Sequence, residues 1–100
     1  LAWLTALVPN LVVTLGAQGC RVLSGGQDQC IPAFRVQAID TTAAGDAFNG
    51  GLAVATARGL ALPAAVRFAS AVGAISVTRL GAMNSLPTAA EVDEFLAKQA

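Results

Sequence analysis

The sequence predicts an α/β chain, with short strands first and three helices after them. Two observations carry this reading. Up to about residue 40, apolar residues fall in short extended runs separated by glycine-rich turns, such as LVVTL at 11–15 and SGGQD at 24–28. From Gly45 onward the spacing is helical, and Gly59, Pro63 and Thr88 stand where helices stop and start.

Each element has a local cause. Residues 1–7 read as the end of a helix. Residues 11–15 are β-branched and closed by Gly16, which predicts a buried strand, and 16–19 is a turn. Residues 20–23 form a second strand, 24–28 a hairpin turn, and 29–34 and 35–39 two further extended pieces. Pro32 marks an edge, because it has no N–H to give a ladder. A helix over 45–58 follows, with Gly59 as its C-cap. Pro63 opens the next helix, where its missing N–H costs nothing, and the pattern runs to about Thr78. Arg67, Ser70 and Ser76 are its only polar side chains before Thr78, so it is buried on most faces. Residues 81–86 are a loop. Thr88 caps a last helix, and Glu91 completes a capping box. Val92, Phe95 and Leu96 form its inward stripe, while Glu94 and Lys98 pair on the outside.

The chain has 100 residues, a formal net charge of zero, 55% hydrophobic residues and 12% charged ones. With its ten glycines counted, 65% of the chain is apolar on the scale where ordinary domains are about 45–50%, and a small domain buries a limited share of its surface. Some apolar faces are therefore expected to pack against further protein, with this chain a C-terminal piece of a larger subunit. The six basic residues are spread out, which argues against a nucleic-acid partner. Residues 1–20 carry no charge, but Pro9, Asn10 and the polar residues from Thr14 on interrupt them. No membrane partner is expected, since a span needs about 20 apolar residues; a signal peptide would carry a leading positive charge. Without histidine or CxxC spacing, Cys20 and Cys30 do not suggest zinc. Free thiols in a cytoplasmic protein are expected, although the two flank the hairpin and could lie close.

Four of the six acids have plain settings: Asp28 in a turn, and Glu91, Asp93 and Glu94 on a surface helix. Between residues 29 and 90 only Asp40 and Asp46 occur, both in DTTAAGDAFNG. Asp40 could be a turn former and Asp46 an N-cap. The surroundings point further. Ala43, Ala44 and Gly45 are small residues just ahead of a helix, and they leave backbone N–H groups bare, a ready anion site. An Asp there repels a resting anion unless it has a task. Taking a proton from a hydroxyl, while the N–H groups hold the charge that develops, is such a task. Gly50 and Gly51 each cost a helix about 1 kcal/mol relative to Ala. They are expected to allow close approach of backbone or ligand. Neither the P-loop nor the GxGxxG pattern is present.

The stretch from Asp40 to Gly50 resembles the second signature of the PfkB carbohydrate kinases, the ribokinase-like sugar kinases: D-T-x-(G/A)-A-G-D-x-F-x-G, without a violation. VTLGAQG at 13–19 is similar to that family's V-T-L-G-x-x-G. SVTRLGA at 76–82, followed by Ser85 and Pro87, is similar to S-V-T-R-x-G-A-x-x-S-x-P of the ribokinase branch. Together the three cover essentially the whole chain.

The resemblance implies a ribokinase-like fold, a Rossmann-like three-layer α/β/α arrangement. Residues 1–100 would be its C-terminal part, with the N-terminal sugar-binding part and lid absent. It implies an ATP-dependent phosphotransferase acting on a sugar hydroxyl, with O5 of D-ribose expected, and Mg2+ and K+ as cofactors. By that analogy Asp46 is the general base and a substrate contact. Ala43, Ala44, Gly45 and the Asp46 backbone form the anion hole. Thr14, Leu15, Gly16, Ala17, Gln18 and Gly19 border ATP, with Gly45, Asp46 and Ser70; relatives often carry Asn or His where Ser70 stands. Asp40, the backbone carbonyls of Thr42, Ser76, Arg79 and Gly81, and the Ser85 side chain would hold the monovalent cation. The magnesium-associated N-x-x-E motif would lie upstream, so the fragment alone should be inactive, and a homodimer through the lid is expected. The competing readings are a fructokinase, a 2-dehydro-3-deoxygluconokinase or a nucleoside kinase of the same family, and a non-catalytic nucleotide-binding module. The retained Asp46 argues against the last.

Overall fold

The computed structural model describes residues 7–37, 44–79 and 87–99. Three strands, β1 (Asn10–Thr14), β2 (Cys20–Ser24) and β3 (Gln27–Ile31), precede three helices, α1 (Ala44–Ala57), α2 (Leu62–Val77) and α3 (Ala89–Lys98). The strands form one antiparallel sheet in the order β1-β2-β3.

The hairpin is tighter than the sequence reading. Pairing continues to Ser24 and Gln27, so the turn is Gly25 and Gly26 alone rather than residues 24–28. Their φ angles of 58° and 78° suit the two-residue turn whose twist matches its strands. Residues 16–18, expected as a turn, form a short 3-10 helix (Gly16–Gln18). The extended pieces expected at 29–34 and 35–39 reduce to β3 and irregular chain: residues 32–37 join no ladder. Pro32, lacking an N–H, follows the last paired residue. Residues 38 and 39, the loop at 81–86 and all but Leu7 of the helix end at 1–7 lie outside the described residues.

Alternation gives the sheet two faces. Cys20 and Val22 of β2 turn inward with Val12 and Ile31, and Val66 of α2 is buried against them. Phe48 and Leu52 of α1 close this layer. By register, the opposite face carries Leu11, Val13, Leu23 and Cys30, with an Arg21–Asp28 ion pair. Cys20 and Cys30 therefore point to opposite sides of the sheet, and both are free thiols.

The two long helices cross closely. Ala47, Gly51 and Ala55 recur every fourth residue, which places small residues in one stripe. Ala47 and Ala55 pack in the core with Phe68, Val72 and Ile75 of α2. A Cβ on Gly51 would lie 2.8 Å from Val72 Cγ2 and 3.1 Å from Ala69 Cα, whereas Gly50 faces open space. Among the described residues, close packing thus falls to Gly51 rather than Gly50. The apolar α2 has nine buried residues, in keeping with its pattern.

At α3 the capping box forms. Thr88 Oγ1 accepts the Glu91 N–H at 3.2 Å, and Glu91 Oε1 accepts the Thr88 N–H at 3.0 Å. Val92 is buried, and Phe95 and Leu96 pack against the same core. Lys98 reaches Glu94 at 3.2 Å. Arg79, just past α2, pairs with Glu91 and so links the two sides of the segment between these helices.

Candidate functional site

A cleft of about 640 Å³ lies where four pieces of chain meet. Thr14, Gly16 and Gly19 come from the β1–β2 connection, and Ala33, Phe34 and Val36 from the irregular segment after β3. Ala44 and Gly45 come from the start of α1, and Ser70 and Gly73 from α2.

The connection is shaped by Gly19. Its φ is 93°, and a Cβ there would stand 2.1 Å from the Ile31 carbonyl oxygen and 2.8 Å from the Ala33 nitrogen. Only glycine lets this turn lie against the chain leaving β3. Two backbone bonds close it: the Leu15 N–H donates to the Gly19 carbonyl at 2.7 Å, and the Gly19 N–H to the Gly16 carbonyl at 3.0 Å.

The start of α1 supplies the site's electrostatics. The N–H groups of Ala44, Gly45 and Asp46 are too early in the helix to find an intrahelical acceptor. The aligned peptides place roughly half a positive charge there. Among the described residues nothing lies within 4 Å of a Cβ built on Gly45, so none of them crowds this turn. Because α1 begins at Ala44, Asp46 occupies its first turn rather than its cap. Its side chain is exposed and is not among the groups lining the cleft.

Ser70 lines the cleft while also serving the fold. Burial pushes the Cys20 thiol above its ordinary range, a hydrogen bond from Ser70 works the other way, and the nearby Cys30 adds to the rise. Ser70 thus ties α2 to β2 at the cleft floor.

The structure brings Thr14, Gly16, Gly19, Ala44, Gly45 and Ser70 together. Leu15 and Gln18 are exposed and do not line the cleft. Ala17 belongs to the 3-10 turn between them. Ser76 is buried near the C-terminal end of α2, and its carbonyl accepts the Arg79 N–H at 3.1 Å. Asp40, Thr42, Ala43, Gly81 and Ser85 lie outside the described residues. Among the described residues no group of three or more His, Cys, Asp or Glu is placed to hold a metal.

Sequence reasoning missed Asn49 and the wall of Ala33, Phe34 and Val36. Asn49 had a signal: three residues after Asp46, it shares that helix face. The wall had none, since partners far along the chain place it.

Fold and site together define an α/β protein in which a helix start lines a largely apolar cleft. The chain belongs to the pfkB family of carbohydrate kinases, whose pattern it matches over residues 1–89. It is 48% identical to ribokinase of Haemophilus influenzae over 89 residues, covering 89% of this chain and 29% of that one. Its structure is similar to ribokinase from Thermotoga maritima, with a TM-score of 0.88 and 46% identity over 96% of this chain and 32% of the other. A fructokinase double mutant from Vibrio cholerae O395, solved with fructose, ADP and a potassium ion, matches with a TM-score of 0.79. It is 38% identical, over 89% of this chain and 31% of that one. The chain thus spans less than a third of the length of these relatives. The ribokinase-like fold expected from the sequence is the fold it has.

Proposed function

We propose that this chain is the C-terminal, nucleotide- and phosphoryl-binding part of an ATP-dependent sugar kinase that phosphorylates O5 of D-ribose. The observation that carries the reading is the convergence of the glycine-bearing β1–β2 connection and the start of α1 on one cleft, with Asp46 in that same first turn.

The apolar walls suit the base of ATP. The N–H groups of Ala43, Ala44, Gly45 and Asp46 would hold the phosphoryl group in transit. Asp46 takes the proton from the attacking hydroxyl. Phosphoryl transfer passes through a loose transition state, so positioning and charge stabilisation carry the rate. Ser70 would meet the nucleotide while keeping its bond to Cys20. Mg2+ would arrive with ATP, its other partners lying upstream. A monovalent cation would be held by Asp40, the backbone carbonyls of Thr42, Ser76, Arg79 and Gly81, and the Ser85 side chain, an oxygen set that suits a hard ion. Two of these sit at or just past the end of α2, whose negative dipole end favours a cation. When bound, it would steady the anion-hole loop and strengthen its field. The likeness to a fructokinase holding fructose, ADP and potassium supports these ligands and favours fructose as the second acceptor to consider. The cytoplasm is its proposed place and a homodimer its proposed form. No helix among the described residues is long and apolar enough to cross a membrane.

In the full-length protein, Asp46→Asn is expected to lower turnover by about 10²–10⁴-fold while calorimetry still detects ATP binding. Near-normal turnover would remove Asp46 from the role of base. Screening ribose, fructose, 2-dehydro-3-deoxygluconate and adenosine with ATP assigns the acceptor, and phosphorylation of none overturns the reading.

A further inference from the structure

Residues 32–37 belong to no strand, yet Ala33, Phe34 and Val36 form a wall of the cleft, so contacts outside the sheet help to place them. Phe34 makes those contacts. Its ring meets Phe95 of α3 edge to face, centroids 5.2 Å apart and planes at 83°. The Arg67 guanidinium of α2 stands 5.3 Å from the Phe34 centroid. Both interactions are directional, so they fix where the ring stands as well as keeping it out of water. Phe34 also packs on the core cluster shared by the three helices. It is therefore in contact with the core and with the cleft at once. No residue of α3 lines the cleft, yet α3 reaches it through this ring.

We propose that Phe34, Arg67 and Phe95 form a brace that sets the width of the cleft. Phe34 is then a determinant of nucleotide affinity, and Arg67 and Phe95 are positioning residues acting through it. The inference rests on the cleft being the nucleotide site. Phosphates belong at the α1 start, so the apolar wall faces the base and sugar of the nucleotide. The brace acts on nucleotide binding and leaves the proton transfer at the acceptor hydroxyl alone.

The test uses the full-length protein, ATP and the sugar acceptor. Phe95→Leu is expected to raise KM for ATP about two- to tenfold. The ATP dissociation constant, measured without sugar, moves in the same ratio. KM for the sugar and kcat at saturating ATP stay at the wild-type values. Phe95→Tyr, which keeps the ring, restores the ATP constants. Arg67→Gln, at an exposed position, keeps the fold and raises the ATP constant about two- to fivefold. Variants that lose thermal stability while their ATP constants stay unchanged would overturn the brace, as would a defect that Phe95→Tyr fails to rescue. A wild-type protein that binds no ATP overturns the nucleotide reading itself, and this control is read before any variant is made.

Discussion

The carboxylate of Glu91 serves two partners: it accepts the Thr88 N–H and pairs with Arg79. The hydrogen bond from Arg79, helped by the Thr88 backbone and opposed by slight desolvation, holds this carboxyl below the usual glutamate range. A folded-state pKa below the unfolded one means stability that is present above the ordinary glutamate value and lost as pH falls through the lower folded value. Glu91→Gln keeps a capping-box side chain but discards the charge. Stability of the variant, followed by urea unfolding, is expected to depend less on pH across that acid window. An unchanged slope would refute the assignment. At this scale the sequence was legible where partners are neighbours: Thr88 and Glu91 are three apart. Arg79 was not, because its approach depends on how α3 returns to the end of α2. Asp46 shows the same limit. Its helix was readable, but placement in the first turn instead of the cap depended on where α1 begins.

Gly50 and Gly51 are adjacent in α1 and opposite in consequence. Gly51→Ala pushes a methyl group into Val72 and the α2 backbone, and overpacking of this kind costs about 1–3 kcal/mol. Gly50→Ala meets none of the described residues, and removing a glycine from the helix is expected to stabilise by about 0.5–1 kcal/mol. Unfolding midpoints of the two variants should move in opposite directions; a shared direction would contradict the packing described. The sequence marked both glycines without telling them apart, because four-residue spacing to Ala47 and Ala55 matters only once α2 lies across that stripe. Helices were legible through caps and apolar spacing. The strands were less so. SGGQD is rich in turn formers throughout, and register alone selects Gly25 and Gly26. Residues 35–37 are extended in composition but find no neighbouring strand among the described residues to pair with.

Across the whole molecule, contiguity decides what can be read. Thr14 to Gly19 and Ala44 to Asp46 are two short runs, each legible alone, and the fold joins Thr14, Gly16 and Gly19 of the first to Ala44 and Gly45 of the second at one cleft. The Phe34 wall draws on three distant elements and left no local trace. The excess of apolar sequence finds a partial account in exposed groups such as Leu7, 72% accessible, and Val54, 48% accessible. The half-covered Leu11, Val13 and Leu23 on the outer sheet face add to it. Those residues share that face with Cys30, while Cys20 is shut behind it. With two thiols in the whole chain, Cys20 buried beside the cleft and Cys30 exposed, the sheet carries its own address for a maleimide dye. Labelling at Cys30 alone is the expected outcome, read by peptide mass. If further protein covers that face, as the proposed function expects, dye uptake at Cys30 is slower in a full-length protein than in this chain alone. Equal rates would show a face left bare to solvent.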